Sequence, residues 1–334
     1  EGGTRWTDWG AFGEGHRILS LASFDEELYA GDDTGKVYRF GGEGRWTFCG
    51  QLGTHERVNA MMVFEGQLYG APHGSIFRYD GGTTWTCVGG GYDPNTNLFG
   101  ENQTHTLQVY DSHLWAGMWP QGKVIRYEGG EDPGTWSDRG QLGIGIEGRA
   151  INEINDLTVY NGKLYAGVIP KAEVYRYEGE SNWTRIEQLV HNDDMNREDV
   201  YSWNRVPCLT VYQGRLFAGT STCHGIASDE PHPEVGRVLS VEAGRSVGFD
   251  RDLGREWRHI AAVRASDVLR LYVDGQEAAI SASLNPHPFD LANEEPLLIG
   301  LGTQCHFSGG MSDFRLYDRA LRPKEVSSLT KSTE

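Results

Sequence analysis

Leu164-Tyr165-Ala166-Gly167, then Val174-Tyr175-Arg176-Tyr177, then Trp183 is one copy of a pattern that runs through most of the chain. Its opening block returns as Leu28-Tyr29-Ala30-Gly31, Leu68-Tyr69-Gly70, Leu114-Trp115-Ala116-Gly117 and Leu216-Phe217-Ala218-Gly219, at steps of 40, 46, 50 and 52 residues. The second block returns as Val37-Tyr38-Arg39-Phe40, Ile76-Phe77-Arg78-Tyr79 and Val124-Ile125-Arg126-Tyr127, and in weakened form as Val238-Leu239-Ser240-Val241. Trp46, Trp85 and Trp136 follow in their copies as Trp183 does. Ahead of each opening block lies a segment such as Ile154–Tyr160, joined to it by a turn pair such as Asn161-Gly162, Glu65-Gly66 or Gln213-Gly214, which is hairpin chemistry. The apolar residues alternate instead of returning every 3.6 positions, so the segments are strands and not helices.

Each copy therefore reads as four short antiparallel strands, and that unit repeated at this period predicts an all-β fold, a five-bladed β-propeller. There are five opening blocks but only four Trp strands after them. Thr4-Arg5-Trp6-Thr7-Asp8-Trp9-Gly10 matches Gly44-Arg45-Trp46-Thr47-Phe48-Cys49-Gly50, so the N-terminal strand is expected to complete the fifth blade and close the ring. The propeller is expected over residues 1–245.

Beyond residue 245 the pattern changes to Leu269-Arg270-Leu271-Tyr272-Val273-Asp274-Gly275 and Asp313-Phe314-Arg315-Leu316-Tyr317-Asp318-Arg319-Ala320-Leu321. This segment resembles the laminin-G-like, concanavalin-type jelly-roll family. The resemblance implies a small β-sandwich module over 246–334 and a carbohydrate-associated, extracytoplasmic setting. Without a Pro/Ser-rich spacer between Val241 and Trp257, the module is expected to pack on the fifth blade and not to swing.

The net charge of −17 argues against a nucleic-acid partner, which needs a basic face. No run is long and apolar enough to span a membrane. The chain opens inside a repeat, with no leader in this stretch, and a secreted or extracytoplasmic location is expected. Five cysteines without metal-type spacing leave the compartment open. There is no Asp-box, GxSxG elbow, P-loop or dinucleotide fingerprint, so a standard sialidase, serine hydrolase or nucleotide enzyme is disfavoured.

Function is expected on the variable loops leading into each blade and between its second and third strands, which share one face. At one aligned position the blades carry Arg17, Arg57, Gln103, Glu153 and Arg205. The framework repeats but these residues do not, which favours one asymmetric central site over five equal pockets. Arg17, Arg57 and Arg205 offer planar forks for a carboxylate or sulfate; ordinary loop ion pairs are the blander use of the same residues. His55, His73, His105 and Tyr201 are candidate proton carriers, with Glu153 and the blade-one aspartates Asp32 and Asp33 as carboxylate partners. Trp119 and Trp203 are candidates for stacking on sugar, and His224 for contact with it. No cofactor is expected; zinc or calcium is the alternative use of the histidines, which lack a local metal motif.

These residues point to cleavage of glycosidic bonds in an acidic polysaccharide at the channel mouth. A lyase is favoured over a hydrolase, because neutralising a uronate carboxylate acidifies the neighbouring C–H. The alternatives are a non-catalytic glycan-binding or adhesion protein and an interaction scaffold.

Overall fold

The computed structural model describes residues 6–13, 17–54, 57–90, 103–130, 134–143, 152–191, 203–223, 236–284, 294, 296–304 and 306–330. They form an all-β architecture with one short helix. Blade one consists of β1 (Ile18–Phe24), β2 (Glu27–Asp32), β3 (Lys36–Phe40) and β4 (Trp46–Gln51). Blade two follows with β5 (Ala60–Phe64), β6 (Gln67–Ala71), β7 (Ser75–Gly81) and β8 (Thr84–Gly90). Blade three is β9 (Gln103–Tyr110), β10 (His113–Trp119), β11 (Lys123–Gly129) and β12 (Thr135–Gln141). Blade four is β13 (Glu153–Tyr160), β14 (Lys163–Ile169), β15 (Glu173–Gly179) and β16 (Asn182–Gln188). Each is an antiparallel meander with strands paired in chain order. The fifth sheet has three strands among the described residues, β17 (Trp203–Tyr212), β18 (Arg215–Cys223) and β19 (Val238–Val241).

The repeated residues are the contacts between blades. The glycine ending the Leu-Tyr-Ala-Gly block is where the next inner strand presses in. A Cβ on Gly31 would lie 2.6 Å from the Val58 Cβ, and one on Gly117 would lie 2.6 Å from Ile154 Cγ2. Inner strands also reach across by side chain: Ser20 Oγ donates to Val58 O at 2.7 Å, Asn59 Nδ2 to Thr104 O at 3.0 Å, and Gln108 Nε2 to Leu157 O at 3.2 Å. The outer-strand tryptophans complete the pattern. Trp85, Trp136 and Trp183 each donate Nε1, at 2.7 Å, to the carbonyl of Cys49, Val88 and Arg139, the matching residue of the preceding blade.

Trp46 makes the same bond to Trp9 O at 3.1 Å. Phe12 packs on Tyr38 and Trp46, with ring centroids 4.6 and 4.3 Å away. The N-terminal segment thus lies on blade one, with the Trp9 carbonyl in the place that the preceding blade's outer strand fills elsewhere. It differs from the expectation in two respects: residues 6–13 are not in a strand, and β19 has no outer partner among the described residues. Inner strands pack in the order β1, β5, β9, β13, β17, with no comparable packing of β17 on β1. Leu28 is accordingly 37% exposed while its equivalents Leu68, Leu114 and Leu164 are fully buried. Ile18 and Leu21 beside it are exposed as well.

The C-terminal segment contains one three-stranded sheet, β20 (Ile260–Arg264), β21 (Leu269–Val273) and β22 (Gln276–Ile280), and the helix α1 (Pro323–Leu329). Val326 of the helix is buried with Val263 and Tyr272 of that sheet. A second sheet, expected for a sandwich, is not formed among the described residues. The segment is held to the tight turns between first and second strands. The backbone N–H groups of Asp111 and Ser112 donate to Thr303 O and Gln304 O at 2.8 and 2.9 Å. A Cβ on Gly162, in the turn of blade four, would lie 3.6 Å from Thr303 Cγ2, and Gln213 N donates to Asp250 Oδ2 at 3.2 Å. An exposed Arg255–Glu26 pair touches the turn of blade one. The segment touches the fifth sheet and the turns of blades one, three and four.

Candidate functional site

In an antiparallel meander the start of the first strand and the end of the second lie at the same edge. That edge is opposite to the turns that hold the C-terminal segment. Glu153 opens β13, His105 lies near the start of β9, Arg205 near the start of β17, and Arg57 just ahead of β5. His73, between β6 and β7, sits with its backbone bridged to Gln103 of the next blade. The divergent positions therefore lie where the inner strands β5, β9, β13 and β17 begin.

The side chains meet there. His105 Nδ1 is 3.2 Å from Glu153 Oε1, and His105 Nε2 is 3.1 Å from Gln103 Oε1. Asn155 Nδ2 donates to Glu153 Oε1 from two residues further along β13, on the same side of the strand. Only 7% of the Glu153 side chain is exposed. Burial pushes its carboxyl up to about 7, against the opposing pull of the Arg205 charge and of the Asn155 hydrogen bond. Burial also pushes His105 down to about 4, reinforced by positive charge on His73, Arg205 and Arg57. His105 is therefore neutral at pH 7. Its contact with Glu153 has the distance of an ion pair but is a hydrogen bond that shares one proton. Arg57 holds a left-handed backbone, φ 63°, a strained state that clusters at functional sites.

The remaining candidates are placed as follows. Arg17 Nε donates to Asp33 Oδ2 at 2.9 Å, and the Arg17 side chain is 57% exposed, so these two form a surface pair of blade one. Buried Asp32 shapes its own loop, accepting from Thr34 N, Thr34 Oγ1 and Lys36 N. Trp119 ends β10 opposite Gln103 in the register, at the rim of the cluster. Trp203 opens β17, paired with Cys223 in the register. His55, Tyr201 and His224 lie outside the described residues. Among the described residues no group of three His, Cys, Asp or Glu side chains is arranged to hold a metal ion.

Sequence reasoning missed Asn59 and Asn155. The signal was available: two residues beyond Arg57, Gln103, Glu153 and Arg205 stand Asn59, His105, Asn155 and Pro207, a second aligned position that fails to repeat.

The buried carboxyl makes stability depend on pH. A raised folded-state value means that Glu153 favours the fold while protonated. That contribution is full below the ordinary carboxyl range and is lost as pH rises through about 7. Glu153→Gln keeps the shape and removes the ionisation. It is expected to be more stable than the parent at pH 8, by up to about 3 kcal/mol, and little different at pH 5. Urea denaturation at the two pH values measures this; an equal difference at both would remove Glu153 as the titrating group.

Residues 203–327 match the family described as the concanavalin A-like lectin/glucanases superfamily. The match begins at the first residue of β17, so the fifth sheet lies within it. A search of curated proteins finds no match. Among solved structures, the extracellular domain of a protein described as a hybrid two-component system from B. thetaiotaomicron aligns with a TM-score of 0.48 at 16% identity. The alignment covers 82% of this chain but 34% of that one, so this chain spans about a third of that protein's length. A catalytically inactive virginiamycin B lyase from Staphylococcus aureus, solved with quinupristin, aligns with a TM-score of 0.43 at 9% identity, over 78% of this chain and 84% of that one. A structure described as a gluconolactonase gives 0.40 at 15% identity, over 80% and 91%. No helix among the described residues is long and apolar enough to cross a membrane. The chain combines a run of β-propeller-like four-stranded sheets with a segment, residues 203–327, that matches the concanavalin A-like lectin/glucanases superfamily.

Proposed function

We propose that this is an extracytoplasmic carbohydrate-active protein that cleaves an acidic polysaccharide at the loop-bearing end of the inner strands, by elimination. The observation that carries the reading is the buried His105–Glu153 contact at 3.2 Å, within electrostatic reach of Arg57 and Arg205. The two arginines neutralise a uronate carboxylate and so acidify the C–H beside it. As Glu153 gives up the proton it shares with His105 Nδ1, that freed nitrogen of the neutral imidazole takes the C–H proton, while Nε2 keeps its own hydrogen toward Gln103 Oε1. The electron pair forms the new C=C bond as the C–O bond to the leaving sugar breaks. Protonated Glu153 delivers a proton to the leaving oxygen, and the His105–Glu153 contact returns the first proton to the carboxylate. Trp119 offers a stacking face at the rim.

A screen of acidic polysaccharides tests this, read as absorbance of unsaturated uronates and as reducing ends. A rise in both is expected. Reducing ends alone would replace elimination by hydrolysis, and binding without either would make the protein a glycan-binding or adhesion protein.

We also infer that the ring closes, with the N-terminal segment as outer strand of the blade formed by β17 to β19, and that the propeller spans 1–245 and the module 246–334. The support is the Trp46–Trp9 bond, which repeats the contact between blades at the one place where the preceding blade is incomplete. Closure would cover Leu21, which is 60% exposed. Leu21→Asp is therefore expected to cost about 2–4 kcal/mol, the penalty of an unpaired carboxylate at a packed interface. A neutral effect on the denaturation midpoint would mean that this face stays open.

A further inference from the structure

Two polar atoms near the starts of β13 and β17 are buried and have no hydrogen-bond partner among the described residues: Asn155 Oδ1, an acceptor, and Arg205 Nε, a donor. Both belong to the cluster. Asn155 is tied to Glu153 through Nδ2, which fixes its amide with Oδ1 turned away from the carboxyl. Arg205 lies close enough for its charge to act on both Glu153 and His105. Leaving such groups unpaired costs free energy, and sites that bear them reject ligands unable to pair them. A simple anion pairs with Arg205 Nε but has nothing to offer an acceptor oxygen. A neutral sugar supplies a hydroxyl for Asn155 Oδ1 and leaves the guanidinium without a counter-charge.

We infer that the site recognises a hydroxyl and a carboxylate on one ligand, that is, a sugar acid. Arg205 Nε, together with Arg57, takes the carboxylate, and Asn155 Oδ1 accepts from a neighbouring hydroxyl. Asn155 is thus a specificity-determining residue, outside the proton transfer itself. The inference rests on the anion-site reading above and adds to its uronate carboxylate a second recognised group, the hydroxyl beside it. Asn152 Oδ1 is also buried and unpaired, but its residue lies on the other side of the strand with Cβ against Gly122, and it takes no part here.

Calorimetric titration of the full chain with glucuronate, cyclohexanecarboxylate, glucose and inorganic sulfate tests this. Glucuronate is expected to bind at least tenfold more tightly than cyclohexanecarboxylate or sulfate, with glucose weaker still. Asn155→Ala is expected to bring glucuronate down to the level of cyclohexanecarboxylate while leaving the latter unchanged. The comparison among ligands needs no variant, so it stands even where Asn155→Ala fails to fold. Equal affinities for glucuronate, cyclohexanecarboxylate and sulfate would overturn the hydroxyl-recognition inference while leaving an anion site. Binding of glucose as tight as glucuronate, or no binding of any of the four, would overturn both the inference and the anion-site reading.

Discussion

Arg205→Ala is expected to weaken binding of an acidic oligosaccharide by roughly ten- to a hundredfold, since a charge-assisted contact in a partly dry site exceeds the about 1.4 kcal/mol that a factor of ten represents. Arg57→Ala is expected to behave alike. Arg17→Ala is expected to change affinity less than about threefold, because that guanidinium is committed to Asp33 and more than half exposed, where ion pairs contribute little. All three occupy the same position of their repeats, so the contrast isolates what the cluster adds to an arginine. Calorimetry or affinity electrophoresis on the three variants measures it. Equal losses at all three would mean that blade one also faces the ligand; no loss at Arg205 would remove the anion site.

Turnover should respond still more strongly to His105. His105→Ala is expected to lower it by about 10²–10⁴-fold with a much smaller change in KM, as for a group that moves a proton in the transition state. Glu153→Gln should lower turnover comparably and also change the pH profile. With Glu153 raised to about 7, its protonated fraction falls as pH rises through that value, so activity of the parent should decline on the alkaline side of neutrality. The variant should lose that alkaline limb. Rates on a pure polyuronate from pH 5 to 9 provide the measurement. An unchanged alkaline limb in Glu153→Gln would assign the acid role to another group. The two variants together test whether the 3.2 Å contact joins them as one proton relay, in which case the double variant should be no slower than the worse single one.

Much of this was legible in the sequence because the repeat writes its own packing. The glycine of the Leu-Tyr-Ala-Gly block and the outer tryptophan are repeated because each blade must fit the next, and Gly31 against Val58 and Trp85 against Cys49 are those fits. The same alignment marked Glu153, Arg57 and Arg205 by their failure to repeat. It could not separate Arg17 from the other two, since the partner that holds Arg17 sits in a loop outside the repeated framework. Nor could it give the shifts at His105 and Glu153, which arise from burial between strands about fifty residues apart in the chain. The seam between β17 and β1 escaped for a related reason: Trp9 carries the contact of an outer strand without the ladder of one.

The C-terminal segment touches turns of blades one, three, four and the fifth sheet at once. It therefore works as a brace across a fan of sheets, tying together units that would otherwise meet only their neighbours. A repeat array whose members contact only adjacent members can fray from either end. A clamp that engages several of them couples their melting, so the first blade and the last should come apart in one cooperative step.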